Sequence, residues 1–324
     1  MFVRPLAASA AALAVGLAAA GAQAQDLQFA VLMKTLANPF WGAMGEGVED
    51  GMEAAGVGGQ IQAVPSEADV EPQLNTCLNM LESDPDALIT AAINSVNLLP
   101  CLKQATESGI PIVDLDGNLD REMAAQEGID IAFTISSDNR LAGEKAARYI
   151  ADRLGEDAEG AVLVIEGLAG NVTGQARRDG FVEGLAEFAP NMTIEASLPG
   201  DWDRLKAANI TNDVLVRNPD LAAIYAANDT MALGAVEAAY GAGKGDQVIV
   251  VGTDGNADAV RSIEQGRLDA SVAQLPYLVG YRSVELAKEV VEGGEVDDLV
   301  LVDTIVLDQE VLEAGEDPLL QYVR

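Results

Sequence analysis

The chain has 324 residues, 49% apolar and 22% charged, enough for two domains of ordinary size with a core each. Asp and Glu number 52 against 19 Lys and Arg, a formal net charge of -33, and such a surface argues against nucleic-acid and membrane-surface roles. Histidine is absent, which removes His-dependent triads, most zinc sites and the commonest general base.

The first segment, 1–24, joins an early cation (Arg4), an apolar run from Leu6 to Ala20 and the small-residue pattern Ala22-Gln23-Ala24. It reads as a secretory signal peptide cleaved after Ala24. No later stretch reaches the roughly 18 apolar residues of a membrane span, so an exported, soluble mature chain is expected.

Short apolar runs then alternate with amphipathic stretches of helical length. The runs lie at 29–32, 61–64, 87–90, 110–113, 131–134, 161–165, 192–196, 222–226, 248–251 and 270–272. The helical stretches lie at 39–55, 71–82, 98–107, 140–154, 173–188, 204–217, 230–240, 257–265 and 277–292. Continuous apolar strands between helices imply parallel sheets covered on both faces, a doubly wound α/β class. Ten strands are many for one open sheet, which places a switch between two sheets near residues 136–139. The helix after Gln274 and a last strand at 300–307 could close either sheet. Cys77 and Cys101 sit on consecutive helices, in an exported chain where oxidation is permitted. A disulfide is expected between them, with two buried thiols as the other possibility.

Ligands of open parallel sheets bind beyond the carboxyl ends of the strands, and polar groups recur there. Lys34, Asn38, Phe40 and Trp41 follow the first strand, Asp114 and Asp116 the fourth, and Gly170 to Arg178 the sixth. Trp202 follows the seventh, Asn228 and Asp229 the eighth, Asp254 the ninth and Gln274 the tenth. Carboxylates, a guanidinium and amides suit vicinal hydroxyls, and aromatic faces suit the C–H faces of a sugar ring. Each residue also has a plainer reading. Asn38 before Pro39, Asp201 and Asn228 suit helix caps, and Asp116 and Asp254, each before glycine, suit turns. The shared strand-end position is what favours a site.

The stretches Thr35-Leu36-Ala37-Asn38-Pro39-Phe40-Trp41, Asp201-Trp202-Asp203-Arg204, Ala227-Asn228-Asp229-Thr230 and Val251-Gly252-Thr253-Asp254-Gly255, with Ala273-Gln274-Leu275-Pro276, resemble the ribose-type periplasmic sugar-binding proteins. Lys34, Trp41, Trp202 and the run from Gly170-Asn171 to Arg177-Arg178 look closest to the D-allose-binding branch. The resemblance implies two lobes joined by three crossings, near Ser137, Gln274 and Leu301, closing over a ligand. The expected lobes are 25–136 plus 275–300 and 137–274 plus 301–324. It implies that Asn38, Asp116, Arg177, Asn228, Asp254 and Gln274 hydrogen-bond a sugar, that Phe40, Trp41 and Trp202 sandwich it, and that Lys34 reaches it. Gly117 departs from the family pattern, in which a charged residue follows the first aspartate, so the particular sugar is left open. The implied role is the periplasmic substrate-binding subunit of an ABC importer for a neutral monosaccharide or polyol, with an inner-membrane permease as partner. No cofactor, metal or nucleic acid is implied. A module presented to a chemoreceptor or membrane kinase is the rival reading, and a secreted carbohydrate-active enzyme using Asp116 and Asp254 is a weaker one.

Overall fold

The computed structural model describes residues 27–36, 39–155 and 157–323. The expected signal peptide, its cleavage position and Asn38 lie outside the described residues. Twelve strands are described: β1 (Gln28–Met33), β2 (Gly58–Ala63), β3 (Ala87–Thr90), β4 (Ile112–Leu115), β5 (Phe133–Ser137), β6 (Gly160–Glu166), β7 (Met192–Pro199), β8 (Leu221–Ala226), β9 (Ile249–Asp254), β10 (Ala270–Ala273), β11 (Leu299–Val302) and β12 (Ile305–Asp308). They form two six-stranded sheets, ordered β11-β5-β4-β3-β1-β2 and β12-β10-β9-β8-β6-β7. Every pairing is parallel except β10 with β12. Central strands such as β3 and β4 are buried along their whole length, as expected where helices cover both faces.

The helices are α1 (Pro39–Ala55), α2 (Val70–Leu81), α3 (Leu99–Glu107), α4 (Arg121–Gln126), α5 (Asn139–Leu154), α6 (Val172–Phe188), α7 (Arg204–Arg217), α8 (Asp229–Gly241), α9 (Ala257–Glu264), α10 (Pro276–Val291) and α11 (Gln309–Ala314), with a 3-10 turn at Pro318–Tyr322. Helix α4 and the segment after β12 are additions to the sequence reading. Six residues of α4 are too few to display a helical period, but Asp120 caps it by accepting from Met123 N at 2.9 Å. Cys77 on α2 and Cys101 on α3 are joined in a disulfide.

The chain passes between sheets after Ser137, at Gln274–Leu275 and at Asp303–Thr304. The third passage corrects the expectation of Leu301 and of one strand over 300–307. Leu301 and Val302 pair with Ser136 and Ser137 in the first sheet, and Ile305 to Asp308 pair with β10 in the second. Two short strands divided by Asp303 and Thr304 thus close both sheets. Lys145 of α5 holds this passage, donating to Asp303 Oδ1 at 2.6 Å and to Thr304 O at 2.5 Å.

In the second sheet, α5 and α6 lie backbone to backbone. A Cβ on Gly143 would collide with Arg177 O, and one on Gly180 with Arg140 O. Only glycine permits this approach, and it brings the start of α5 beside the middle of α6.

Candidate functional site

Two clusters form at the strand ends, one on each sheet. On the first, Lys34 leaves the end of β1 and is only 5% exposed. Its ammonium lies 3.9 Å from Asp116 Oδ2 and 4.4 Å from the Trp41 ring centroid, a paired and cation–π environment that offsets the cost of burying it. Phe40 meets Trp41 edge to face at 4.9 Å. The indole of Trp41 donates to Glu67 Oε1 at 2.8 Å. Burial pushes the Asp116 carboxyl above its ordinary pKa, Lys34 and Arg177 pull it down, and Glu67 and Asp254 push it up again. Asp116 therefore senses the charges of both sheets.

On the second sheet, Arg177 is 4% exposed and held at Nε and Nη1 by fixed acceptors. It donates from Nε to Asn139 Oδ1 at 2.9 Å, and from Nη1 to Ala227 O at 2.7 Å and Asp254 Oδ1 at 3.0 Å. Gln274 adds a bond from Nε2 to Asp254 Oδ1 at 2.7 Å. Burial raises the pKa of Asp254 while Arg177 and Gln274 oppose the rise. Behind it, Asp229 accepts from Ser271 Oγ at 2.6 Å and Asn256 N at 2.7 Å, anchoring the loop that carries Asp254. Burial, with the charge of Asp254 next, pushes Asp229 up to about 8.

Backbone strain coincides with these positions. Asp116, Trp202 and Asp254 have φ of 71°, 61° and 133°, unusual for residues with side chains and costing of order 1–3 kcal/mol each. The glycines after both aspartates, Gly117 and Gly255, also have positive φ; Asp116 and Gly117 form a bend, whereas Asp254 ends β9 and no turn is formed there. A Cβ on Gly117 would lie 3.4 Å from Ser136 and Thr134 on β5. The absent side chain thus faces the strand leading to the first passage. The Trp202 ring lies on Gly167 and Gly174, where added Cβ atoms would strike it or crowd it.

Lys34, Phe40, Trp41 and Asp116 thus form one cluster, and Arg177, Asp254 and Gln274 the other. Asn228 is the N-cap of α8, its Oδ1 accepting from Met231 N at 2.9 Å, which is its plainer reading. Sequence reasoning missed Asn139, Glu67 and the role of Asp229. Asn139 lay at the inferred switch between sheets and Asp229 beside Asn228. Glu67 had no local signal, because it meets Trp41 from a loop 26 residues away.

A periplasmic binding protein domain model matches residues 29–295. The D-allose-binding periplasmic protein of Escherichia coli is 39% identical over 288 residues, covering 87% of this chain and 92% of that protein. The ribose import binding protein RbsB of Escherichia coli is 34% identical over 284 residues, covering 88% and 91%. Among solved structures, an ABC transporter periplasmic solute binding protein from Actinobacillus succinogenes with bound D-allose superposes with a TM-score of 0.79 at 32% identity, covering 89% of this chain and all of that one. Two sheets of matching architecture, strand-end polar clusters on each, and a match over most of the chain agree: this chain belongs to the periplasmic binding protein domain family.

Proposed function

We propose that the chain is the substrate-binding subunit of an ABC importer, capturing a neutral monosaccharide or polyol of five or six carbons between its lobes and delivering it to an inner-membrane permease. The observation that carries this reading is the pairing of the two clusters. Buried Arg177, Asp254 and Gln274 on one sheet and Lys34, Asp116 and Trp41 on the other offer fixed donors, fixed acceptors and an aromatic face, the chemistry that vicinal hydroxyls on a ring require. The proposed ligand set is Lys34, Asn38, Phe40, Trp41, Asp116, Arg177, Trp202, Asn228, Asp254 and Gln274. The proposed lobes are residues 25–137 plus 275–302 and 138–274 plus 303–324, in the periplasm after cleavage behind Ala24. Binding without chemistry is part of the same reading and is supported by the binding-protein relatives reported above.

Hydrogen bonds to charged groups contribute roughly 1.5–3 kcal/mol each, so three or four of them with stacking reach micromolar affinity, about -8.2 kcal/mol. A thermal-shift screen across aldoses, ketoses and alditols, read in parallel by tryptophan emission, is expected to yield a few hits that move both signals. Stabilisation by sugar phosphates or amino acids, with no response to any neutral sugar or polyol, would overturn the reading.

A further inference from the structure

We propose that Asn139 is a positioning residue that fixes the sugar-facing guanidinium of Arg177 from the start of α5, beside the first passage between the lobes. The proposal rests on the function proposed above. Asn139 is the first residue of α5, two residues after β5 ends at Ser137. Its Nδ2 donates to Ser137 O at 3.1 Å and its Oδ1 accepts from Arg177 Nε at 2.9 Å. Arg177 continues to Asp254 Oδ1 at 3.0 Å, and that oxygen also receives Gln274 Nε2 at 2.7 Å. Ser137 precedes the first passage between the sheets and Gln274 begins the second. Three bonds beyond Asn139 therefore span two passages by way of the two charged groups that face the ligand.

The third passage is attached to the same helix. Lys145, six residues along α5, holds Asp303 and Thr304, so α5 bonds the first and third connections directly and reaches the second only through Arg177 and Asp254. The arrangement depends on the close approach of α5 and α6 at Gly143 and Gly180, which leaves the Asn139 side chain within reach of Nε and no farther. A guanidinium has three nitrogens in one plane. Fixing Nε to Asn139 and Nη1 to Asp254 and Ala227 sets that plane.

The test compares Asn139→Ala with Asn139→Asp, which retains an acceptor for Arg177 Nε. The probes are D-allose, D-ribose and whichever aldose or alditol gives the largest shift in the screen above. Calorimetry and stopped-flow fluorescence on Asn139→Ala should show affinity about tenfold weaker, mainly through faster dissociation, with the ligand-free melting temperature within about 2 °C of wild type. Asn139→Asp should bind within about threefold of wild type. A sugar-free arm follows the Arg177 Nε–Hε resonance in 15N-arginine-labelled protein, assigned with Arg177→Lys. It should exchange slowly with water in wild type and Asn139→Asp, and fast in Asn139→Ala. Asn139→Ala binding within twofold of wild type, Asn139→Asp as weak as Asn139→Ala, or ligand-free melting that falls in step with affinity would each overturn the proposal. Should Asn139→Ala not fold, Asn139→Asp decides alone, within threefold for the proposal and beyond tenfold against it. Wild type that binds no sugar while its Arg177 resonance stays protected would refute the proposed function and leave the Asn139 bond itself intact.

Discussion

Asp254 receives both its side-chain bonds on one oxygen, Oδ1, from Arg177 and Gln274, which leaves Oδ2 directed to other partners. A hydroxyl that donates to Oδ2 would meet a carboxylate already oriented, and pre-orientation is what turns a hydrogen bond into affinity. Asp254→Ala and Arg177→Ala are each expected to weaken sugar binding at least tenfold, the equivalent of about 1.4 kcal/mol, without unfolding the protein. Isothermal calorimetry on the screened ligand measures this, and unchanged affinity would remove that residue from the site. Removing Arg177 has a second effect. Its charge and hydrogen bond are what oppose the burial-driven rise in the Asp254 pKa, so in Arg177→Ala the remaining affinity should also fall off at a higher pH than in wild type.

Helices α2 and α3 illustrate how an element is held where no ligand acts. Their apolar faces pack with the first sheet through buried residues such as Met80, Leu88 and Leu102, and the disulfide Cys77–Cys101 lies within that core. Gln73 of α2 is fully buried and spends its amide on backbone and loop: Nε2 donates to Ala91 O at 2.9 Å, and Oε1 accepts from Ile93 N at 3.0 Å and Asn97 Nδ2 at 2.8 Å. It fixes the loop between β3 and α3. With its ends 24 positions apart, the disulfide should stabilise by roughly 3–4 kcal/mol on the chain-entropy model. Denaturant unfolding of a Cys77→Ser, Cys101→Ser double variant is expected to show that loss while calorimetry finds sugar affinity unchanged, because neither residue belongs to the strand-end clusters. A drop in affinity matching the drop in stability would show the α2–α3 face to be coupled to the site.

At the scale of the molecule, a net charge of -33 makes pH a strong variable, and one buried acid contributes separably. Asp114, in the middle of the first sheet, is pushed up to about 7 by burial, against a hydrogen bond from Thr134 at 3.2 Å and the charge of Arg121. A carboxyl whose folded pKa lies above its unfolded value of about 3.9 holds a proton that the unfolded chain has released. Its stabilisation is therefore complete below pH 4 and is lost as pH rises toward 7. In that window one proton corresponds to a slope of about 1.4 kcal/mol per pH unit. Asp114→Asn cannot titrate and should unfold with a slope shallower by up to that amount, while the surface carboxylates contribute equally to both proteins. Parallel curves for variant and wild type across pH 4–7 would show that Asp114 is ionised in the fold.

The class of fold and the location of the clusters were legible because both are period signals. Apolar runs such as 87–90 alternating with helical stretches specify parallel sheets, and in such sheets the strand ends are where a ligand lies. Lys34, Asp116, Asp254 and Gln274 could accordingly be picked out by position and type, whereas Arg177 was singled out from the run 170–178 by the family resemblance. Other features left no mark along the chain. The division of 300–307 into two strands depends on which sheet each half finds a partner in, Ser136 and Ser137 for one and β10 for the other. The use of Asn228 as a helix cap depends on where α8 begins. The bonds of Asn139 to Arg177 and of Glu67 to Trp41 join residues 38 and 26 positions apart, and only the packing of α5 on α6 and of the loop after β2 on α1 brings them together. Periodicity is a property of neighbouring residues and survives in the linear chain, whereas a hydrogen bond between distant side chains exists only once the packing has set the distance.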